Sequence, residues 1–189
     1  MPSQGDLTER HSPGSWVVER LARRRREVVL RHVRGRLLDV GCGDNSLVRA
    51  YGNGIGVDVV QWGDVDLVVE DTAHLPFEDR SFDTVSFLAC LNHIPNRGEV
   101  LDEARRLLKT DGRLIATMIP PGLSSFWHRL VQRWDTDQHV RHLHADEVWG
   151  FTNRQMCDLL ARHGFEVILH ERFVFRLNNL FLGVPRGHD

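Results

Sequence analysis

The stretch Leu37-Leu38-Asp39-Val40-Gly41-Cys42-Gly43-Asp44-Asn45 restricts this chain more than any other. A short apolar run closes on an acidic residue, and two glycines then flank a single side chain. That pattern belongs to a buried parallel strand turning into a helix N-terminus, where glycine permits the tight turn and lets a ligand lie against bare backbone. Asp58, fifteen residues beyond Gly43 in sequence, is the carboxylate that closes a second apolar strand, Gly54-Ile55-Gly56-Val57-Asp58-Val59. An acid there can accept hydrogen bonds from both hydroxyls of a ribose. Together the two signals describe a site for an adenosine-bearing ligand on an α/β scaffold.

The rest of the chain alternates in the same way. Residues 15–33 read as a helix whose apolar members are Trp16, Val17, Leu21, Val28, Val29 and Val33. Further strands are expected over residues 36–40, 55–59, 66–70 and 82–88, with a short helix over 46–50. Residues 99–108 place Val100, Leu101, Ala104, Leu107 and Leu108 on one helical face. Asp111-Gly112 is expected to turn the chain into a strand over 113–118, which Pro120-Pro121-Gly122 ends. Thr152 reads as the N-cap of a helix to His163, with Gly164 as its stop. Residues 165–173 and 174–184 read as two closing strands around Asn178-Asn179.

Strands alternating with helices imply a doubly wound, mostly parallel, seven-stranded Rossmann-like sheet of the α/β class. The terminal pair has no helix between its strands and adds one antiparallel strand near the C-terminus. Only residues 60–65 separate the second strand from the third, too few for a normal crossover helix. The helices after strands one and two are therefore expected to be reduced.

A length of 189 residues suits one domain spanning residues 1–189. Within it, residues 1–13 read as a loose start, 14–34 as a capping helix and 120–150 as an insertion. With 24 basic against 26 acidic side chains, no global pull toward nucleic acid or membrane arises. Cys42, Cys90 and Cys157 are odd in number and unpaired by spacing, which fits a reducing compartment. No apolar run is long enough to span a bilayer, and the polar N-terminus lacks a secretory pattern. A cytoplasmic protein is expected.

Two further segments carry family character: Asp71-Thr72-Ala73-His74-Leu75-Pro76-Phe77 followed by Ser81-Phe82-Asp83-Thr84-Val85, and Leu107-Leu108-Lys109-Thr110-Asp111-Gly112-Arg113-Leu114. With the glycine loop, the Asp58 strand and residues 82–95, they stand in family order. Over residues 36–184 the chain resembles the class I S-adenosylmethionine-dependent methyltransferases, most of all the branch with small-molecule and lipid substrates. The resemblance implies transfer of a methyl group from S-adenosylmethionine to oxygen, nitrogen or carbon of a small organic acceptor, with S-adenosylhomocysteine as product.

It also implies roles. Asp39 matches the acid that helps hold the cofactor's amino-acid end. Gly41 and Gly43 match the glycines over which the cofactor lies, and Cys42 is the small residue between them. Asp58 matches the ribose-binding acid, with Val59 beside it. Asp71 matches the acceptor for the adenine amino group, and the Thr72 backbone completes that edge. Leu88 stands where the methionine portion passes, and His93 matches a histidine frequent near the reactive centre. The chain departs from the family at Asn45, which replaces a third glycine. Asparagine tolerates left-handed backbone, so the turn is expected to survive.

NAD is the natural rival on such a fold. Its fingerprint wants glycine three residues after Gly43, where Ser46 stands, and no separate substrate domain follows. Residues 135–144 are dense in histidine and aspartate, but their spacings do not match helical metal pairs, and no metal is expected. In the family this region often folds over the substrate. That makes His139 a second acid/base candidate and Arg141 and His142 acceptor-binding candidates, alongside Trp16; a solvated loop is the alternative reading. Arg20 and Arg23 to Arg26 fit either a solvated helix face or recognition of an anionic acceptor. Nucleic acid is disfavoured, because no aromatic residues interleave these arginines. The reading from another class is a catalytically inactive methyltransferase-like scaffold, which the shortened helices and Asn45 favour.

Overall fold

The computed structural model describes residues 13–119, 150–174 and 178–187, with side chains described from residue 19 onward. The elements in chain order are α1 (Pro13–Leu30), β1 (Leu37–Val40), α2 (Ser46–Tyr51), β2 (Gly54–Asp58), β3 (Leu67–Val68), β4 (Phe82–Leu88), α3 (Arg97–Leu107), β5 (Leu108–Met118), α4 (Asn153–Arg162), β6 (Phe165–Phe173) and β7 (Asn178–Pro185). The strands form one seven-stranded sheet in the order β3-β2-β1-β4-β5-β7-β6. Pairings from β3 through β5 are parallel, and β7 runs antiparallel to both of its neighbours.

The strand order reverses between β1 and β4, so a crevice opens at their carboxyl ends. Two apolar layers sandwich the sheet. On one face Val28 and Val29 of α1 and Leu47 and Val48 of α2 pack on Leu37, Ile115, Leu180 and Leu182. On the other, Val100, Leu101 and Leu107 of α3 and Met156 and Leu160 of α4 pack on Leu38, Val40, Phe87, Leu114 and Phe181. The α4 start is fixed by a full capping box between Thr152 and Gln155, and Gly164 ends the helix region at φ +76°.

Several boundaries differ from the sequence reading. The first helix ends at Leu30, not residue 33, and the chain leaves it through tight turns at Arg31 and His32. The third strand is only two residues long. Asp111-Gly112 makes no strand-breaking turn: β5 runs continuously from Leu108. Its register against β4 jumps from Phe82↔Leu108 to Thr84↔Arg113, so the extra residues bulge instead. The last reversal does not fall at Asn178-Asn179. The two strands already pair at Phe173↔Asn178, Val174 leaves β6 at φ 48°, and both asparagines are buried within β7. Each polar side chain has a partner there: the Asn179 Oδ1 meets the His170 Nε2 at 2.9 Å, and the Asn178 Oδ1 meets Arg25 at 3.5 Å. β6 carries its own register shift between Val167 and Leu169.

The glycine-to-asparagine departure is absorbed locally. Asn45 sits at φ 58° and ψ 20°, the left-handed conformation a glycine would take, at the start of α2. Its Nδ2 donates to the Asp64 carbonyl and to the Asp66 Oδ2, both at 2.9 Å. The same Asp66 oxygen accepts from the Gly56 amide at 2.7 Å. One side chain thus pins the abbreviated β2–β3 connection where a crossover helix is missing. The arrangement needs glycine at position 56, because a Cβ there would overlap the Asn45 Oδ1.

Candidate active site

A cavity of about 250 Å³ lies at the carboxyl ends of β1 and β4, roofed by α1. Asp39 and the Gly41–Gly43 loop form its floor on the β1 side, and Leu88, Ala89, Cys90 and His93 form its wall on the β4 side. Ala22, Arg25 and Arg26 face it from α1.

Asp39 is 1 % exposed and opposite Ser86 in the β1–β4 register. The Ser86 hydroxyl donates to its Oδ1 at 2.5 Å. Burial pushes the Asp39 carboxyl up to about 7, the charges of Asp58 and Asp44 adding to it and the Ser86 bond opposing it. A buried carboxylate of this kind is matched to a cation, and an ammonium group is the fitting complement.

The loop beside it is bare backbone. Gly41 adopts φ +69°, and a Cβ there would lie 2.9 Å from the Cys90 Cβ. Gly43 adopts φ +55° and faces open space, leaving room for a ligand against the chain. Cys42 is buried between them, and burial pushes its thiol up, so it is no nucleophile at neutral pH.

Asp58, at the end of β2, is 2 % exposed. Its Oδ2 accepts from the Gly43 amide at 2.9 Å and its Oδ1 from the Val60 amide at 3.1 Å. Each oxygen keeps a second lone pair for another donor. Val59 next to it presents an exposed apolar surface. Asp71 is half-exposed and accepts from the Ala73 amide at 2.9 Å and from Asn96 Nδ2 at 3.1 Å on both oxygens. The Ala73 amide first, and Asn96 second, hold its carboxyl below the usual range. Thr72 beside it is buried.

Among the described residues, the expected contacts divide into two zones. Asp39, Gly41, Cys42, Gly43, Leu88 and His93 line the cavity; Asp58, Val59, Asp71 and Thr72 do not. The His93 ring Nε2 lies 3.0 Å from the Asn92 Nδ2, and its amide donates to the Cys90 carbonyl at 2.8 Å. His139, Arg141 and His142 lie outside the described residues, as do Trp127, Trp134 and Trp149 of the same segment. Trp16 lies in α1, and its side chain is outside the described set. Among the described residues no cluster of three His, Cys, Asp or Glu is placed to hold a metal ion, and no helix is long and apolar enough to cross a membrane.

Two features escaped the sequence reading. Ser86 is a polar residue fully buried in β4, a signal that it serves a buried partner. Ala89 adopts φ 56° at the cavity wall, with its amide donating to the Thr117 carbonyl at 3.1 Å. Such backbone costs a non-glycine residue about 1–2 kcal/mol, and no local sequence cue announces it.

The family profile described as a methyltransferase domain matches residues 14–170. The chain belongs to the class I S-adenosylmethionine-dependent methyltransferases, whose cofactor is S-adenosylmethionine. A demethylmenaquinone methyltransferase of Thermotoga maritima is 31% identical over 134 residues, covering 64% of this chain and 58% of that protein. A 27-O-demethylrifamycin SV methyltransferase of Amycolatopsis mediterranei is 36% identical over 99 residues, covering 42% of this chain and 36% of that one. The chain thus spans less than two thirds of either relative. A 1,6-didemethyltoxoflavin-N1-methyltransferase of Burkholderia thailandensis, solved with 1,6-didemethyltoxoflavin and S-adenosylhomocysteine bound, shares the fold. Its TM-score is 0.66 at 21% identity, over 91% of this chain and 81% of that one.

The residues present fit this cofactor. A buried acid suits its ammonium group, and the open face at Gly43 leaves space where a Cβ would intrude. Asp58 keeps free lone pairs beside the loop for hydroxyl donors.

Proposed function

We propose that this protein transfers a methyl group from S-adenosylmethionine to a nucleophilic oxygen, nitrogen or carbon of a small organic acceptor. The observation that carries the reading is the buried Asp39 carboxylate set against bare glycine backbone in a cavity at the sheet's switch point. The relatives support the acceptor class, since each is named for a small organic molecule.

When bound, the sulfonium supplies an already activated methyl group, so the protein's task is alignment. Asp39 holds the ammonium end in place. Gly41 and Gly43 let the amino-acid portion lie close to the chain, and Asp58 and Asp71 orient the ribose and the adenine edge. Leu88 and Ala89 wall off water beside the reacting atoms. His93 faces the same cavity and is the group positioned to take a proton from an acceptor that must lose one. His139, Arg141, His142 and Trp16 remain proposed contributors to the acceptor side.

Calorimetric titration with S-adenosylhomocysteine, using NAD as the control, tests the reading. Binding of the first alone is the expected result. No binding of either ligand by folded protein would move the assignment to an inactive scaffold of the same fold. Asp58→Ala removes a charge-assisted pair of hydrogen bonds and is expected to weaken S-adenosylhomocysteine at least several-fold. A folded Asp58→Ala protein with unaltered affinity would remove the ribose from that acid.

A further inference from the structure

Arg25 of α1 is a partly buried cation with no acidic partner among the described residues. Its Nε has no accessible surface and no hydrogen-bond partner. Its only described bond is a long one, 3.5 Å from Nη2 to the Asn178 Oδ1. Burial lowers the tendency of this guanidinium to stay charged, with the nearby Cys90 weakly opposing. A guanidinium presents five donors in a rigid fork matched to oxyanions, and the buried Nε–H is idle here. Leaving the buried Nε–H without an acceptor carries a desolvation cost. A ligand that brings the missing negative charge removes that cost.

The position of Arg25 says which ligand. It faces the cavity from α1, yet its contact lies on β7. In the sheet order, β4 and β5 separate β7 from β1 and the glycine loop. The guanidinium therefore reaches past Leu88, away from Asp39. A second orphan waits on that side. Thr117 Oγ1 is buried without a partner. Thr117 pairs with Leu88 on β4 and with Leu180 on β7. It shares a sheet face with Asn178, one diagonal step away. Two unsatisfied donors and an amide thus cluster beneath α1 beyond the residue expected to flank the methionine portion.

We propose that Arg25 anchors an oxyanion of the methyl acceptor, such as a carboxylate, a phosphate or an ionised hydroxyl, with Asn178 steadying the guanidinium from β7. The proposal rests on the methyltransferase reading and narrows its acceptor to an anionic one. The cofactor's own carboxylate is the competing source of the same chemistry, and the test separates the two.

The probe is inorganic phosphate, titrated by calorimetry into protein saturated with S-adenosylhomocysteine. Phosphate is expected to bind this complex without displacing the cofactor product. Arg25→Met is expected to weaken phosphate at least tenfold while changing S-adenosylhomocysteine affinity less than threefold, and Arg25→Lys to retain part of the phosphate affinity. Mutual exclusion of phosphate and S-adenosylhomocysteine on the wild-type protein would overturn the proposal and give Arg25 to the cofactor's carboxylate, and this arm decides even if Arg25→Met fails to fold. Phosphate binding that is absent, or unchanged in a folded Arg25→Met protein, would overturn it as well. Failure of the wild-type protein to bind S-adenosylhomocysteine would instead bring down the methyltransferase reading, and the proposal with it.

Discussion

Gly56→Ala is expected to destabilise the protein by about 3 kcal/mol or more, a combination of overpacking and lost buried hydrogen bonds. For a chain of this size that is a fall of roughly 6–12 °C in Tm. Gly56 needs no unusual backbone angle; the cause is steric. A Cβ at this position would overlap the Asn45 Oδ1 and come within 3.0 Å of the Cys42 Cβ. Moving Asn45 would break its bonds to Asp64 and Asp66 and release the β2–β3 connection. The displaced loop carries Gly41 and Gly43, so S-adenosylhomocysteine binding should fall with stability.

The explanation makes a second, sharper demand. Asn45→Gly alone should cost only about 1–2 kcal/mol, because glycine accepts the left-handed angle and only the side-chain bonds are lost. Adding Gly56→Ala to that background should then cost less than about 1 kcal/mol, since the obstructing amide is gone. Urea unfolding of the four proteins in this cycle checks it. Additive effects would show that the two positions do not conflict and that position 56 fails for another reason.

S-adenosylhomocysteine affinity is expected to be about tenfold weaker at pH 6 than at pH 8. Asp39 carries a carboxyl raised by burial to about 7, against an ordinary value of 3.8. The folded protein therefore holds this proton more tightly than the unfolded chain does. The stability that protonated Asp39 contributes is fully present below about pH 4 and is lost as pH rises through about 7. An ammonium ligand needs the ionised form, which is about one tenth populated one unit below the pKa, hence the tenfold penalty.

Asp39→Asn separates the two consequences. The amide can still accept from Ser86 and carries no charge, so at pH 8 the free protein should become more stable. Cofactor-product affinity should drop at least tenfold and lose its pH dependence. Thermal melts and calorimetry at both pH values measure these opposite changes. A variant that loses stability at pH 8 would contradict the assigned cost of the buried charge.

The parts of this molecule that a reader of the sequence could recover are the ones written locally. Strands β4 and β6 span residues 82–88 and 165–173 as read from the sequence, and Thr152 and Gly164 bracket α4 as their chemistry dictates. The glycine loop and Asp58 announce themselves by spacing alone. What local reading misplaced was decided at a distance. Asn178-Asn179 has the composition of a turn but lies inside β7, because Arg25 and His170 partner the asparagines from elsewhere in the chain. Asp111-Gly112 resembles a turn for the same compositional reason, yet β4 continues beside it and the ladder absorbs the excess as a bulge. The Ser86–Asp39 pair exists only through the β1–β4 register. The unpartnered Nε of Arg25 is visible only once α1 is docked; in the sequence it belongs to one of four consecutive arginines.

The margins of the sheet bear on how the protein behaves in a crowded cell. An open sheet invites a neighbouring chain to add a strand, and natural proteins blunt that hazard by shortening or distorting their outermost strands. At one margin β3 offers only two residues of unpaired ladder, too little to template a fibre. At the other, β6 breaks register between Val167 and Leu169, next to the exposed apolar side chains Ile168 and Leu169. The stickiest stretch of edge is thus the stretch whose hydrogen-bonding row is interrupted. Stripping the crossover down to Asn45 and a short loop therefore has a second effect, since it leaves a sheet that is difficult to extend from its β3 side.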